Sequence, residues 1–360
     1  MVLSSEDAAA AFGAILDALS RVVSPVLIDR AGWLCLREAV RGLPVDPGTG
    51  FGFELRLGDR AAGTDLYVAV RRGSRLAAHY VRRGEQEAPG SAAAGFGDHL
   101  AAIDESAPWA EDMGVEIDVT SGSPGGPPGR FVRIRSDAAD PGAAGFPAGQ
   151  TVGEWIAGAA GWRLTGGERG ALERTFDALA AGGGMVDCVG IMPGRVRRAF
   201  KVVSRTLEPA YALPLLERLR WSGPAGEIAA FLTAFEGSFR TLRLAVGVTA
   251  AGVAPRVGLE LFQDEPGRLH HAGVAGWRPF LARLCEAGLC LPDKMDALAA
   301  WPGRELVFRG RDAFGVFTGL HHVKVSFDAG HRGAGAGVEA KAYPAAGYRT
   351  FETIRSWFGR

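Results

Sequence analysis

Paired runs of strictly alternating apolar and polar residues recur along this chain. In the stretch HHVKVSFDAGHRGAGAGVEAKAYP, at residues 321–344, Val323, Val325 and Phe327 alternate with Lys324 and Ser326 before a glycine-rich turn. A period of two is the pattern of a β-strand that has one buried face and one polar face. The turn and the second alternating run therefore predict an antiparallel hairpin.

Four further pairs of alternating runs precede this one, at residues 51–70, 114–135, 185–204 and 241–262. Helical patterns lie before, between and after the pairs, and they are predicted near residues 6–22, 96–105, 152–160, 168–181, 211–221, 226–235, 277–287, 292–301 and 348–360. The chain is therefore predicted to be an α/β (α+β) protein in which αββα units repeat about five times. We expect one domain that spans residues 1–360.

Two architectures fit strands of this kind. One is an open antiparallel sheet with helices on its apolar face and water on the other. The other is a closed antiparallel barrel of about ten strands, with helices outside and a polar, aromatic interior wide enough for a small molecule. We favour closure, because an open sheet of about ten strands would leave two edges to protect.

Composition excludes some partners. Basic and acidic residues are equal in number, 40 each, so no basic excess favours a nucleic acid. The sequence contains no uninterrupted run of about 18 apolar residues, so no membrane span is predicted. The four cysteines are too few and too scattered for a disulfide framework, which predicts a reducing cytoplasm. The oligomeric state cannot be predicted from these features.

Three short segments carry a resemblance to a known family. They are FELRLG at residues 53–58, RRAFKVV at 197–203 and EAKAYP at 339–344. Together with the repeated αββα order, they resemble the aromatic prenyltransferases of the ABBA or PT-barrel group, which includes the dimethylallyl-tryptophan synthases. The resemblance implies a ten-stranded barrel that moves an allylic group from an isoprenyl diphosphate, dimethylallyl or geranyl, to an aromatic acceptor without a metal.

The resemblance also implies roles for individual residues. Glu54 would face the acceptor, and Lys201, Lys341 and Tyr343 would bind the diphosphate. Lys324, on the same polar face, would bind the diphosphate with them, and further candidates for that site are Arg197, Arg243 and Arg256. The acceptor would be an indole, a phenol or the aromatic side chain of a peptide, and no other cofactor is implied.

These residue types suit the chemistry. Fixed cations stabilise the charge of a departing diphosphate without reorganising. Aromatic faces attract and shield an allylic cation, and the predicted inward positions include Tyr67, Phe131 and Phe262. A carboxylate such as Glu54 can accept a hydrogen bond from an indole N–H or a phenol and help to remove a proton.

Other features leave alternatives open. Lys-x-Tyr is not repeated, because Ser326 follows Lys324 and Val203 follows Lys201. The chain could therefore be a barrel of the same fold that binds a peptide or metabolite without binding diphosphate, or an open-sheet protein that binds a partner through its polar face. Lys324 and Lys341 also fit a solvated sheet face. His321 and His322 should point to opposite faces of a strand, so no metal site is predicted.

Overall fold

The computed structural model describes residues 5–61, 63–87, 92–120, 123–124, 127–135, 147–182, 184–194, 198–263, 274–309, 312–330 and 337–350. The strands are β1 Gly50–Arg56, β2 Thr64–Val70, β3 Ala110–Ile117, β4 Val119–Thr120, β5 Ser123–Pro124, β6 Gly129–Ile134, β7 Val186–Ile191, β8 Phe200–Ser204, β9 Thr241–Thr249, β10 Gly252–Phe262, β11 Arg304–Arg309, β12 Asp312–Asp328 and β13 Val338–Thr350. The α-helices are α1 Ser5–Val22, α2 Arg30–Ala39, α3 Arg75–Glu85, α4 Ala92–Ala101, α5 Ile103–Ser106, α6 Gly149–Ala159, α7 Gly166–Ala181, α8 Ala212–Arg218, α9 Ala225–Ala234, α10 Arg278–Glu286 and α11 Pro292–Ala299.

Ten of these strands form a closed antiparallel barrel, which confirms the predicted fold class. Around the ring the order is β1, β2, β3, β6, β7, β8, β9, β10, β12 and β13. The ring closes where β10 pairs with β12, with Val257 opposite Phe327 and Leu261 opposite Val323. The polar face of the sheet therefore encloses a lumen, and the open-sheet alternative is wrong.

The last two barrel strands are longer than the sequence pattern predicts. The second half of β12 pairs with β10, whereas its first half pairs with β11, a strand that was not predicted. β13 continues to Thr350, opposite Phe314 of β12. The predicted C-terminal helix is therefore wrong for residues 348–350, and the rest of it lies outside the described residues. Backbone hydrogen bonds to β12 explain the difference, because they hold these residues in the sheet.

The apolar sides of the strands face outward and pack against the helices. Phe51 of β1 meets Phe12 of α1 with ring centroids 5.2 Å apart, and Phe53 meets Trp33 at 5.8 Å. All four of these aromatic side chains are buried. The main hydrophobic core thus lies between the sheet and the helices, which leaves the barrel interior free for polar side chains.

The sequence patterns did not predict helices α2 and α3. Each begins with a side-chain cap: Asp29 accepts a hydrogen bond from the N–H of Gly32, and Ser74 accepts one from the N–H of Ala77. Such caps are recognisable helix starts. No described helix has both the length and the apolar character needed to cross a bilayer.

Candidate functional site

The barrel encloses a cavity of about 330 Å³. It is lined by inward-facing residues of most of the barrel strands, from Glu54 on β1 to Tyr343 on β13. A cavity of this size is at the lower end of the range for small-molecule sites in proteins. Closure of the sheet therefore creates space for one small-molecule ligand.

Glu54, Lys341 and Tyr343 form a hydrogen-bonded group at this cavity. Lys341 Nζ donates to Oε1 of Glu54, and the Tyr343 hydroxyl donates to Oε2. Burial alone would raise the pKa of Glu54, but the charges of Lys341 and Lys201 and these two hydrogen bonds together lower it below its ordinary value. Glu54 is therefore held as a carboxylate whose two oxygens are both already engaged.

Three other interior cations that were predicted to bind the diphosphate also have carboxylate partners. Lys201 Nζ lies 3.9 Å from Glu116, Lys324 Nζ lies 3.6 Å from Glu260, and Arg243 lies 2.9 Å from Asp187. Lys324 is only 9% exposed, which excludes a solvated sheet face for it. The side chain of Lys341 is 16% exposed, so Lys341 does not lie on a solvated sheet face either.

These pairs leave the interior close to neutral. Six carboxylates line the cavity in the described part of the chain, and they are Glu54, Asp65, Asp112, Glu116, Asp187 and Glu260. The cations that line it are Arg71, Arg133, Lys201 and Arg243. Lys324 and Lys341 do not line it, but they contact two of its carboxylates.

Burial makes the Lys324 ammonium easier to deprotonate. The pKa of its ammonium is lowered to about 8, first by burial and then by repulsion from Lys201, while the charge of Glu260 opposes the shift. Lys324 is therefore still mostly charged at pH 7. A second negative charge nearby would raise its pKa again.

Aromatic rings lie beside the cavity-lining cations. Lys201 Nζ is 5.1 Å from the ring centroid of Phe131, and the guanidinium of Arg243 is 5.2 Å from that of Phe262. Tyr67 meets Phe131 edge to face, with centroids 6.4 Å apart. Tyr67 and Phe131 line the cavity, whereas Phe262 is 1% exposed and does not line it.

Inward-facing glycines make room for these large side chains. Across β3, β6, β7 and β8, the residues opposite one another are Gly114, Phe131, Gly190 and Lys201. A Cβ added at Gly114 would lie 2.3 Å from Tyr67, and one at Gly190 would lie 2.1 Å from Phe131. The glycines are therefore required for the close approach of the rings.

The two adjacent histidines both line the cavity, contrary to the prediction that they face opposite sides. The register of β12 against β13 shifts between Leu320 and His322, which is a β-bulge. A bulge adds an unpaired residue, so consecutive side chains no longer alternate regularly. The two Nδ1 atoms lie 2.8 Å apart, and His322 Nε2 is buried without a hydrogen-bond partner in the described part of the structure.

Asp65 lies on β2 directly opposite Glu54 and was missed by the sequence analysis. Its Oδ1 accepts a hydrogen bond of 2.9 Å from the backbone N–H of Val119. Burial, and then the negative charge of Glu54, raise its pKa to about 6, although the Val119 hydrogen bond opposes this. Its inward position, two residues before Tyr67, was the signal that could have revealed it.

The predicted site residues thus fall into three groups. Those that line the cavity are Glu54, Tyr67, Phe131, Lys201, Arg243 and Tyr343. Lys324, Lys341 and Phe262 are not part of that lining, but they contact residues that are, namely Glu260, Glu54 and His322 respectively. Arg256 is exposed in the first half of β10, where it pairs with Glu339, and Arg197 lies outside the described residues.

Among the described residues, no group of three or more His, Cys, Asp or Glu is arranged to hold a metal ion. Comparison with known proteins adds no further assignment to this geometry. No family model matches the chain, and no curated protein matches it at a significant level.

Proposed function

We propose that the chain is a prenyltransferase that moves an allylic group from an isoprenyl diphosphate to an aromatic acceptor without a metal. The observation that carries this proposal is the composition of the enclosed cavity. Fixed cations, aromatic faces and carboxylates surround a space sized for a small guest. Those are the groups that ionisation of an allylic diphosphate and capture of the resulting cation require.

The diphosphate would bind at Lys201 and Arg243, which line the cavity. Both side chains emerge from rigid barrel strands, so little reorganisation accompanies the departure of the leaving group. Tyr343 also lines the cavity and would add a hydroxyl donor, and Lys324 and Lys341, which contact its carboxylates, would add positive charge. The allylic carbon would then lie near Tyr67 and Phe131, whose π-faces attract a cation.

The acceptor would occupy the part of the cavity next to Glu54. The allylic cation would form inside the barrel, next to the aromatic ring that is to capture it, and this proximity would favour attack by the ring. The free thiols of Cys35, Cys188, Cys285 and Cys290 suit a reducing cytoplasm, which is where we propose that the reaction takes place.

A second candidate function is supported by the charge balance of the interior. Each cation predicted to bind diphosphate that the structure describes contacts a carboxylate, and these carboxylates would repel an anionic donor. A barrel that binds a neutral or zwitterionic metabolite, or part of a peptide, without diphosphate would explain this compensation. The two candidates differ in one measurable property, which is affinity for an allylic diphosphate.

Thermal stabilisation tests the proposal directly. A ligand that binds only the folded protein adds about 2.7 kcal/mol of stability at 100 times its Kd. We expect dimethylallyl or geranyl diphosphate to raise the Tm of the wild type and not that of Lys201→Met. The matched control is Arg278→Met, because Arg278 lies on α10 and pairs with Asp296 away from the cavity.

Mass spectrometry of reactions with indole or p-cresol would then detect the transferred allylic group. If neither diphosphate raises the Tm of the wild type or of Arg278→Met, the prenyltransferase proposal is wrong. Stabilisation by the aromatic compound alone would in that case favour the second candidate.

A further inference from the structure

Asp65 differs from the other carboxylates at the cavity. Glu54, Asp112, Glu116, Asp187 and Glu260 each form an ion pair with a lysine or an arginine. Asp65 forms none with any residue that the structure describes. It is nevertheless only 8% exposed and lines the cavity.

The geometry leaves one oxygen of Asp65 available to a guest. Oδ1 is fixed by the N–H of Val119, and Oδ2 accepts no hydrogen bond from the described part of the chain. On Glu54, by contrast, Lys341 occupies one oxygen and Tyr343 the other. A guest with an N–H or O–H group would have to share an oxygen of Glu54 with Lys341 or Tyr343, whereas no described residue donates to Oδ2 of Asp65.

We propose that Asp65 accepts the N–H or O–H hydrogen bond of the aromatic acceptor, and that Glu54 instead holds Lys341 and Tyr343 in position. This inference rests on the proposed function, because it names the group that recognises the acceptor in that reaction. The acceptor class is an aromatic compound with a polarised N–H or O–H, such as an indole or a phenol.

The surroundings of Asp65 suit proton transfer as well as binding. Glu54 lies opposite it on β1, Glu116 lies on β3, and Asp118 follows β3; all three raise its proton affinity. In the reaction, the N–H or O–H proton passes to Asp65 Oδ2, and the electron pair of that bond stays on the acceptor. The acceptor forms its new bond to the allylic carbon, and the C–O bond electrons leave with the diphosphate.

Binding of simple aromatic probes tests this inference without a donor. We would measure the Kd of indole and N-methylindole, and of p-cresol and 4-methylanisole, by calorimetry for the wild type and Asp65→Asn. In the variant, the amide oxygen of the new side chain can still accept from Val119, but its NH₂ group faces the cavity and cannot accept. We expect the N–H or O–H probe to bind about tenfold to a hundredfold more weakly, with the methylated probe unaffected.

Two further measurements separate Asp65 from general effects. Asp177→Asn removes the same charge from an exposed position on α7 and should leave all four Kd values unchanged. In the wild type, affinity for the N–H or O–H probe should fall between pH 7.5 and pH 5 as Asp65 takes up a proton, and Asp65→Asn should lose this dependence.

The inference is overturned if neither indole nor p-cresol binds the wild type, or if Asp65→Asn binds them as tightly as the wild type does. It is also overturned if Glu54→Gln weakens probe binding more than Asp65→Asn does. Failure of the proposed function would look different. Probe binding would then depend on Asp65, while no allylic diphosphate would bind.

Discussion

The imidazole ring of His322 lies flat on the phenol ring of Tyr343, with ring centroids 4.2 Å apart and planes inclined by 10°. The bulge in β12 brings His321 to the same side, where its Nδ1 meets Nδ1 of His322. Burial and the nearby charge of Arg243 lower the pKa of His321 to about 4 and shift that of His322 in the same direction. Both rings are therefore neutral at pH 7, and one Nδ1 donates to the other.

This pair should make the protein sensitive to moderate acid. A histidine whose pKa is lowered by folding takes up its proton more readily in the unfolded chain, so stability falls as the pH drops from about 6.5 to about 4. His321→Asn has no proton to gain in this range. We expect its free energy of unfolding to decrease by about 2 kcal/mol less than that of the wild type between pH 7 and pH 4. Urea titrations at both pH values would measure this, and equal decreases would contradict it.

Asp65 should lower stability at neutral pH. Its pKa is raised by folding to about 6, so the folded protein binds a proton more tightly than the unfolded chain, and stability is lost as the pH rises from about 4 through 6. Asp65→Asn removes this penalty and can keep the Val119 hydrogen bond. We expect it to increase the free energy of unfolding by about 1–3 kcal/mol at pH 7 and by little at pH 4. A destabilised variant at pH 7 would show that an unrecognised partner holds Asp65.

Most of the barrel was predictable because alternation is a local property. In β1, Phe53 and Leu55 alternate with Glu54, and this pattern fixed which side chains face the helices and which face the lumen. Closure of the barrel could be predicted only by rejecting the open sheet, because an open sheet would leave two edge strands unpaired. The direct evidence for it, the pairing of β10 with β12, joins residues more than 60 positions apart.

The charge pairing of the interior could not be read from alternation alone. The pattern shows that Lys324 and Glu260 point inward, but not that they lie opposite each other on neighbouring strands. That fact depends on the strand register, which is set where the barrel closes. The bulge at His322 was missed for a related reason, since a register shift leaves no period-two signature. The inward glycines were visible in the sequence. Their role, which is to leave space for a large side chain, depends on which side chain of the neighbouring strand packs over each of them.

Gly114 should be intolerant of even a methyl group. An added Cβ would lie 2.3 Å from the ring of Tyr67, which would have to move into the cavity or against Phe131. We expect Gly114→Ala to lower the free energy of unfolding by about 1–3 kcal/mol, which is the usual cost of overpacking. The control is Gly226→Ala in α9, where a Cβ meets nothing within 4 Å and the change should be neutral or stabilising. Equal stabilities of the two variants, measured in urea, would show that Tyr67 is free to shift.

Lys341 and Glu54 should depend on each other for stability. Lys341→Met leaves the Glu54 carboxylate buried without its closest cation, and breaking a buried pair in this way costs about 3–5 kcal/mol at pH 7. Glu54→Gln in the same chain removes the charge that Lys341→Met leaves unpaired, so the double variant should be more stable than Lys341→Met alone.

The stabilisation by this pair should also depend on pH. The pKa of Glu54 is lowered in the wild type, so the contribution of its carboxylate to the free energy of unfolding is present above the ordinary pKa of a glutamate and fades as the pH falls below it. The difference between the wild type and Lys341→Met should therefore shrink below about pH 4. Strictly additive effects in the double variant would mean that the two side chains do not stabilise each other, and Lys341 would then be free to serve a guest in place of Glu54.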